Sequence, residues 1–243
     1  MNKRSAITVL AAAALAFILA DSARAQFRSA AIFGQYSEPV TKRLGVTDAH
    51  AWGGGVELRY DITESIGINL TGVYEYWWIE QPDALDQWNW DFWIQRYEGI
   101  VEANLASDPN LSATLTPEVV MEAIPVTLSA SFEFEPLEDL RIRPYAGGGI
   151  YFYTKKMYLH EEWGKYFPDA DYTLTYNYLN FAPPKEGKPF LGLAGVEASY
   201  RLTSMIEVAG AVHYMQILGK NRGYDEMPME DALSVRLGLG FVY

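Results

Sequence analysis

The sequence predicts an all-β fold: an eight-stranded antiparallel up-and-down transmembrane β-barrel with short periplasmic turns and long extracellular loops. Three observations point there. Apolar residues alternate with small or polar ones over stretches long enough for a tilted strand to cross lipid. The connections between these stretches alternate between very short and long. Beyond the first 25 residues no run is apolar enough to cross a membrane as a helix.

The chain begins with a different signal. Lys3 and Arg4 precede a run from Ala6 to Ala20 whose one polar member is Thr8, and Ala23-Arg24-Ala25 supplies small residues at the cleavage-determining positions. The run falls short of the ~20 residues that a membrane helix needs. Residues 1–25 therefore read as a cleaved Sec-type signal peptide, and residues 26–243 as one outer-membrane β-barrel domain starting at Gln26.

Eight strands are expected, over about 26–37, 50–61, 65–78, 119–135, 140–158, 189–202, 205–217 and 230–243. The last has the cleanest alternation. Leu233, Val235, Leu237, Leu239, Phe241 and Tyr243 share one face, and Ser234, Arg236, Gly238 and Gly240 share the other. In the second strand Trp52, Val56, Leu58 and Tyr60 oppose Gly53, Gly55, Glu57 and Arg59. In the third, Ile66, Ile68, Leu70, Tyr74 and Tyr76 oppose Asn69, Thr71 and Glu75. The fourth sets Ile124, Val126, Leu128, Phe132 and Phe134 against Thr127, Ser129, Ser131, Glu133 and Glu135. The fifth sets Ile142, Ala146, Ile150 and Phe152 against Arg141, Arg143 and Tyr145. Polar members of the sixth and seventh are Glu197, Ser199 and Arg201, then Glu207 and His213.

Connections after strands 2, 4 and 6 are short, as at Thr63-Glu64-Ser65, Leu137-Glu138-Asp139 and Thr203-Ser204, whereas those after strands 1, 3, 5 and 7 read as long. That sorting is expected of a barrel that turns tightly on the periplasmic side and loops outside. Alternation by itself does not say which face points inward. The polar face does: Glu57, Arg59, Glu75, Glu133, Glu135, Arg141, Arg143, Glu197, Arg201, Glu207, His213 and Arg236 form a nearly charge-balanced set that pairs well inside a barrel. An Arg near the lipid midplane would cost about 2–4 kcal/mol. An eight-stranded barrel is also just wide enough for side chains to fill it.

Composition removes whole classes of function. Cysteine is absent, which excludes disulfides, thiolate nucleophiles and Cys-ligated metals. A net charge of −12 with no basic run excludes nucleic acid as a partner. No phosphate-binding loop, zinc-ligand spacing or calcium-loop pattern occurs, so neither cofactor nor metal is expected. There are three histidines, and His213 has no matched serine in its local sequence, so it reads as a filler of the polar interior and catalysis is not expected.

The segment after strand 3, about 79–118, is rich in rings and acids. Tyr74 to Trp78 suit an aromatic girdle at the lipid boundary. Trp88, Trp90, Phe92 and Trp93, with Trp163 and Tyr166 from the loop after strand 5, are candidates for a gate or binding surface in one ordered cap. Glu80, Asp83, Asp86, Asp91, Glu98, Glu102, Asp108 and Glu118 face Arg96 alone, the pattern of a solvated acidic loop.

Ile124-Pro125-Val126-Thr127-Leu128, Phe132 to Phe134 and Arg143-Pro144-Tyr145-Ala146-Gly147-Gly148-Gly149 resemble a strand hairpin of small eight-stranded outer-membrane proteins, the OmpW family and the OmpA-like β-barrel domain. Phe241 and Tyr243 resemble the C-terminal signal read by the barrel assembly machinery. The resemblance implies residence in the bacterial outer membrane, with lipid and lipopolysaccharide as neighbours. The longer connection after strand 3 departs from the OmpW pattern, so that family's solute pathway is not carried over. The expectation for function is a narrow or gated channel for small solutes, hydrophobic ones included. The alternative is a non-conducting structural or adhesive surface protein whose acidic aromatic loops bind partners or lipopolysaccharide.

Overall fold

The computed structural model describes residues 28–219 and 223–242. The leader expected over residues 1–25, and Tyr243 of the assembly signal, lie outside the described residues.

Eight antiparallel strands form the barrel wall: β1 (Ser29–Lys42), β2 (Asp48–Asp61), β3 (Ile66–Glu80), β4 (Leu111–Phe132), β5 (Leu140–Phe167), β6 (Phe190–Arg201), β7 (Ile206–Leu218) and β8 (Met229–Val242). Each pairs with its neighbours in sequence, and β1 pairs with β8 from Ser29↔Val242 to Lys42↔Met229, so the sheet closes on itself. Closure leaves the wall without an open edge. The β3–β4 ladder skips Val73 and Tyr74, where Pro125 offers no amide, and resumes at Glu75↔Ala123.

The alternation read from the sequence matches the wall. Ile32, Val56, Leu70, Leu128, Val196, Val212, Val235 and Leu237 are exposed on the outside. Rings bound this apolar belt: Trp52, Trp78 and Phe190 toward the loop end, and Tyr60, Phe132, Phe134 and Tyr200 toward the turn end. On β2, Trp52 and Tyr60 are separated by about 26 Å of strand at ~3.3 Å per residue. Strand tilt shortens that to about 20 Å of height, to which the rings themselves add, in keeping with the ~25 Å lipid-facing band of such barrels.

Three features differ from the sequence-based expectation. The loop after strand 1 is not long. Its flanking strands run on, leaving Arg43–Thr47, and the chain reverses through Leu44 (φ 55°) and Gly45 (φ 67°) in the left-handed region. Strands β4 and β5 extend well past 119 and 158, and with the unexpected strand Tyr172–Phe181 they make a three-stranded sheet standing above the barrel. The segment between β3 and β4 is also partly helical: α1 (Ala84–Gln87), then a helical stretch from Asp91 that passes through a π-turn at Trp93–Tyr97 into α2 (Glu98–Ser107). Trp93, Tyr97 and Val101, spaced by four, lie on its inner side, with Trp93 and Val101 buried and Tyr97 partly so.

Candidate functional site

The barrel interior changes character along its axis. At the turn end it is an ion-pair network around Glu133, just beyond the end of β4. Arg143 Nε donates to Glu133 Oε2 at 2.9 Å, Arg28 Nη2 donates to its Oε1 at 3.1 Å, and Arg59 and Arg141 approach it to 3.1 and 3.4 Å. Arg143 also donates to Glu197 Oε1 at 2.6 Å, to Ser199 Oγ at 2.9 Å and to both oxygens of Glu207 at 3.1 and 3.0 Å. Arg59 Nε donates to Asp61 at 2.7 Å. These bonds satisfy most of the buried charge, as a low-dielectric interior requires.

The next level holds Arg236, His213 and Tyr145. Arg236 Nε donates to Gln35 Oε1 at 2.6 Å, its Nη1 lies 3.8 Å from Glu57, and its guanidinium covers the Phe33 ring at 4.6 Å. His213 and Tyr145 lie with ring centroids 6.5 Å apart, and His213 Nδ1 and the Tyr145 hydroxyl have no hydrogen-bond partner. Gly195 makes room for both: a Cβ there would sit 2.5 Å from His213 Cβ and 2.8 Å from Tyr145 Cζ. Cavities of about 20 and 10 Å³ flank Arg236, each the size of a single water.

Glu75 ends the polar half. Its carboxylate accepts from Gln35 Nε2 at 2.6 Å, Ser37 Oγ at 3.0 Å, Tyr151 hydroxyl at 2.9 Å and Trp77 Nε1 at 3.3 Å. Above it the lining is mainly apolar. Trp77, Met121, Tyr153, Met157, Leu191, Met215, Met227 and Met229 pack into one core with Trp88, Trp90 and Trp93 of the cap. The interior is thus filled from the turn end to the loop end, in the way expected of an eight-stranded barrel.

The structure brings most of the sequence-derived residues together, with exceptions. Glu135 was expected inside but sits at the rim, its side chain 49% exposed, where it accepts from the Asp139 amide at 3.0 Å and stands 4.0 Å from Arg141. The reason is a register shift: Glu135 lies in a short strand, Phe134–Leu137, that pairs with β5 at Phe134↔Ile142 and Leu137↔Leu140, and the irregularity between them breaks the alternation next to the turn. Arg201 is half-buried, and its Nε has no hydrogen-bond partner. Among the loop aromatics, Trp88, Trp90, Trp93 and Trp163 are buried, while Phe92 and Tyr166 are exposed. Phe241 lies on the outer face of β8.

Other buried groups escaped the sequence reading. Lys155 is 2% exposed, lies 3.9 Å from Glu226 and stands 5.0 Å from the centre of the Trp88 ring, while Lys185 donates to the same Glu226 at 2.7 Å. Trp88 Nε1 donates to Pro183 O at 3.0 Å. Glu161 accepts from Tyr97 and from Trp163 Nε1, both at 2.8 Å, and from Asn180. Burial and the Glu161 carboxylate push the Tyr97 phenol up to about 12. On the rim, a bond from Lys165 holds Asp108 below the usual carboxylate range. Counting by twos from Arg143 reaches both Lys155 and Glu161, so their inward direction was available in the alternation.

Outside, beside Trp78, an open groove of about 600 Å³ is lined by His50, Glu80, Gln81, Pro82, Pro117 and Glu118 among others. His50 stacks on Trp78 with ring centroids 5.5 Å apart.

No family model matches this chain, and no curated protein does. Its backbone is similar to that of Ail, the attachment invasion locus protein of Yersinia pestis, solved with the heparin analogue sucrose octasulfate: 10% identity over 90% of this chain and 99% of that one, TM-score 0.45. Neisserial surface protein A aligns at 11% identity over 88% and 96%, TM-score 0.42. The outer membrane protein OprG from Pseudomonas aeruginosa aligns at 12% identity over 90% and 97%, TM-score 0.40. The chain's own geometry defines its class. With its closed antiparallel ring, lipid-facing apolar belt bounded by aromatic residues, and charged, filled interior, this chain is a small eight-stranded β-barrel of the outer-membrane type.

Proposed function

We propose that the protein is an integral outer-membrane protein of a bacterium, exported by its N-terminal leader, whose sealed barrel anchors a rigid extracellular structure for contact with partners. The observation that carries this reading is the filled interior. Arg143, Arg236 and Trp77 sit in it at successive levels, and the cavities beside Arg236 hold about one water each. The cap is bolted rather than hinged, because Trp88, Trp90 and Trp93 belong to the same core as the upper barrel. The role is non-catalytic: His213 faces Ser234 across the β7–β8 ladder, but Ser234 Oγ is engaged with Ser37 Oγ at 2.8 Å. The groove beside Trp78, level with the aromatic girdle, suits contact with lipopolysaccharide head groups. Phe241, on the lipid-facing side of β8, serves with Tyr243 in recognition by the assembly machinery.

A second reading, passage of a small hydrophobic solute sideways through the wall, draws on the ladder gap at Pro125. Planar-bilayer recording of the mature chain separates the two. A folded protein that stays electrically silent, and leaves apolar solute flux into vesicles unchanged, supports the sealed anchor. Discrete openings or solute flux would replace it with the channel.

A further inference from the structure

The three-stranded sheet above the barrel has two lateral edges, and they are built differently. The edge formed by residues 111–118 of β4 carries Pro117 and Glu118, residue types that discourage a further strand from pairing. The opposite edge is Tyr172–Phe181, which among the described residues pairs with β5 alone. Its sequence, YTLTYNYLNF, has no charge, no proline and no glycine. Its register with β5 runs unbroken from Tyr158↔Phe181 to Phe167↔Tyr172, so no bulge turns the edge away. Tyr172, Leu174, Tyr178, Leu179 and Phe181 are all exposed, and Tyr176 stacks on Trp163 with the ring planes 4° apart, which stiffens the strand. A straight, uncharged, ring-rich strand with one side of its backbone unpaired is a template for another strand.

We propose that Tyr172–Phe181 is a homotypic docking edge, pairing antiparallel with the same strand of a second copy of this chain held in a facing membrane; this rests on the surface-anchor reading. Charge confines the approach of a second copy to this strip. The molecule carries −12, so two copies repel over most of their surfaces, and this uncharged ten-residue strip is where they can approach. The strand also matches itself. Centred on Tyr176, antiparallel pairing sets Leu174 against Tyr178 and Thr175 against Asn177, and no like charges meet. Orientation selects the facing membrane. The strand lies along the part of β5 that projects from the barrel, antiparallel to it, so its axis points away from the membrane, and side-by-side antiparallel pairing turns the second copy end over end about an axis perpendicular to the sheet. A neighbour in the same membrane has the wrong polarity. One strand pair buries far less than the ~1,200 Å² of a stable interface. Many copies on two apposed surfaces supply the avidity.

The mature chain is reconstituted into two populations of phosphatidylcholine vesicles carrying different dyes, and their co-clustering is measured against protein density. Wild-type vesicles cluster. Thr175→Lys with Asn177→Lys, folding verified by β-rich circular dichroism, lowers clustering at least about tenfold, whereas Thr114→Lys with Thr116→Lys on the other edge leaves it unchanged. Because the chain has no cysteine, Tyr176→Cys or Asn177→Cys forms a disulfide joining the two populations if the strands pair near their centres. Vesicles that stay dispersed, clustering that survives the lysines, or cross-links confined to single vesicles would each overturn the proposal, as would dispersed vesicles that capture a foreign extended peptide. A silent barrel that does not cluster sinks this inference and spares the anchor, and a conducting barrel that clusters does the reverse.

Discussion

Glu133 and Arg143 meet at 2.9 Å across the turn between β4 and β5, and this contact is the centre of the polar half of the interior. Three further arginines, Arg28, Arg59 and Arg141, approach the same carboxylate. Both Nη atoms of Arg59 and Nε of Arg141 already lack a well-directed hydrogen bond. Removing the charge at Glu133 therefore strands buried cations that have no other full complement of acceptors. Glu133→Gln is expected to cost about 3–5 kcal/mol, the range for breaking a buried pair from one side. Urea unfolding in lipid vesicles measures it, and a loss below about 1 kcal/mol would mean that Glu197 and Glu207 suffice.

The outer face offers an independent check on what surrounds the barrel. Leu237 is 69% exposed and lies opposite Gly34 and Gly210 in the two flanking ladders. In lipid, Leu237→Arg should destabilise the fold by about 2–4 kcal/mol, with a smaller penalty for the same change nearer a girdle. The same vesicle unfolding assay reads the difference. No penalty at Leu237 would mean that this face meets water.

Tyr97 ties the helical cap to the upper sheet, and its titration reports the tie. Its phenol loses the proton only near pH 12, above the ordinary value of 10, because burial and Glu161 both oppose a phenolate. A folded-state pKa raised in this way adds stability that is complete below about pH 10 and disappears as pH climbs through about 12. Tyr97→Phe should remove one late-titrating group from the tyrosinate absorbance measured near pH 12. Protease cleavage within 81–110 should rise over the same pH interval in the wild type, and Glu161→Gln should bring the late group down toward 10. Cleavage that is insensitive to pH between 10 and 12 would uncouple Tyr97 from cap docking.

The wall was legible because its physics is periodic. Leu233 to Phe241 and Ile66 to Tyr76 announce one lipid face and one inner face every second residue, and nothing distant is needed to read them. The ion-pair residues on the strands followed from the same rule, and Glu135 failed it where the register shifts between Phe134 and Leu137. The mainly apolar upper interior was harder to see, because Trp77, Met121 and Met215 have an inner face that is apolar too, so alternation vanishes there. The helix around Trp93, Tyr97 and Val101 was hidden among the acids and rings of a segment that reads as loop. Tyr172–Phe181 sets Tyr172, Leu174, Tyr176 and Tyr178 on one face and Thr173, Thr175, Asn177 and Leu179 on the other, with both faces largely exposed, and its pairing with β5 is a tertiary fact that no local pattern states.

Arg236, on the last strand, is held by Gln35 and Glu57 on the first two. The side chains that line the interior come from every strand, so a half-rolled sheet would turn Glu133, Arg143 and Glu207 toward hydrocarbon while its two rims still lacked partners. No partial barrel of this chain has a comfortable place in a bilayer. Insertion and the meeting of β1 with β8 must therefore be a single committed step, taken after the final strand has been delivered.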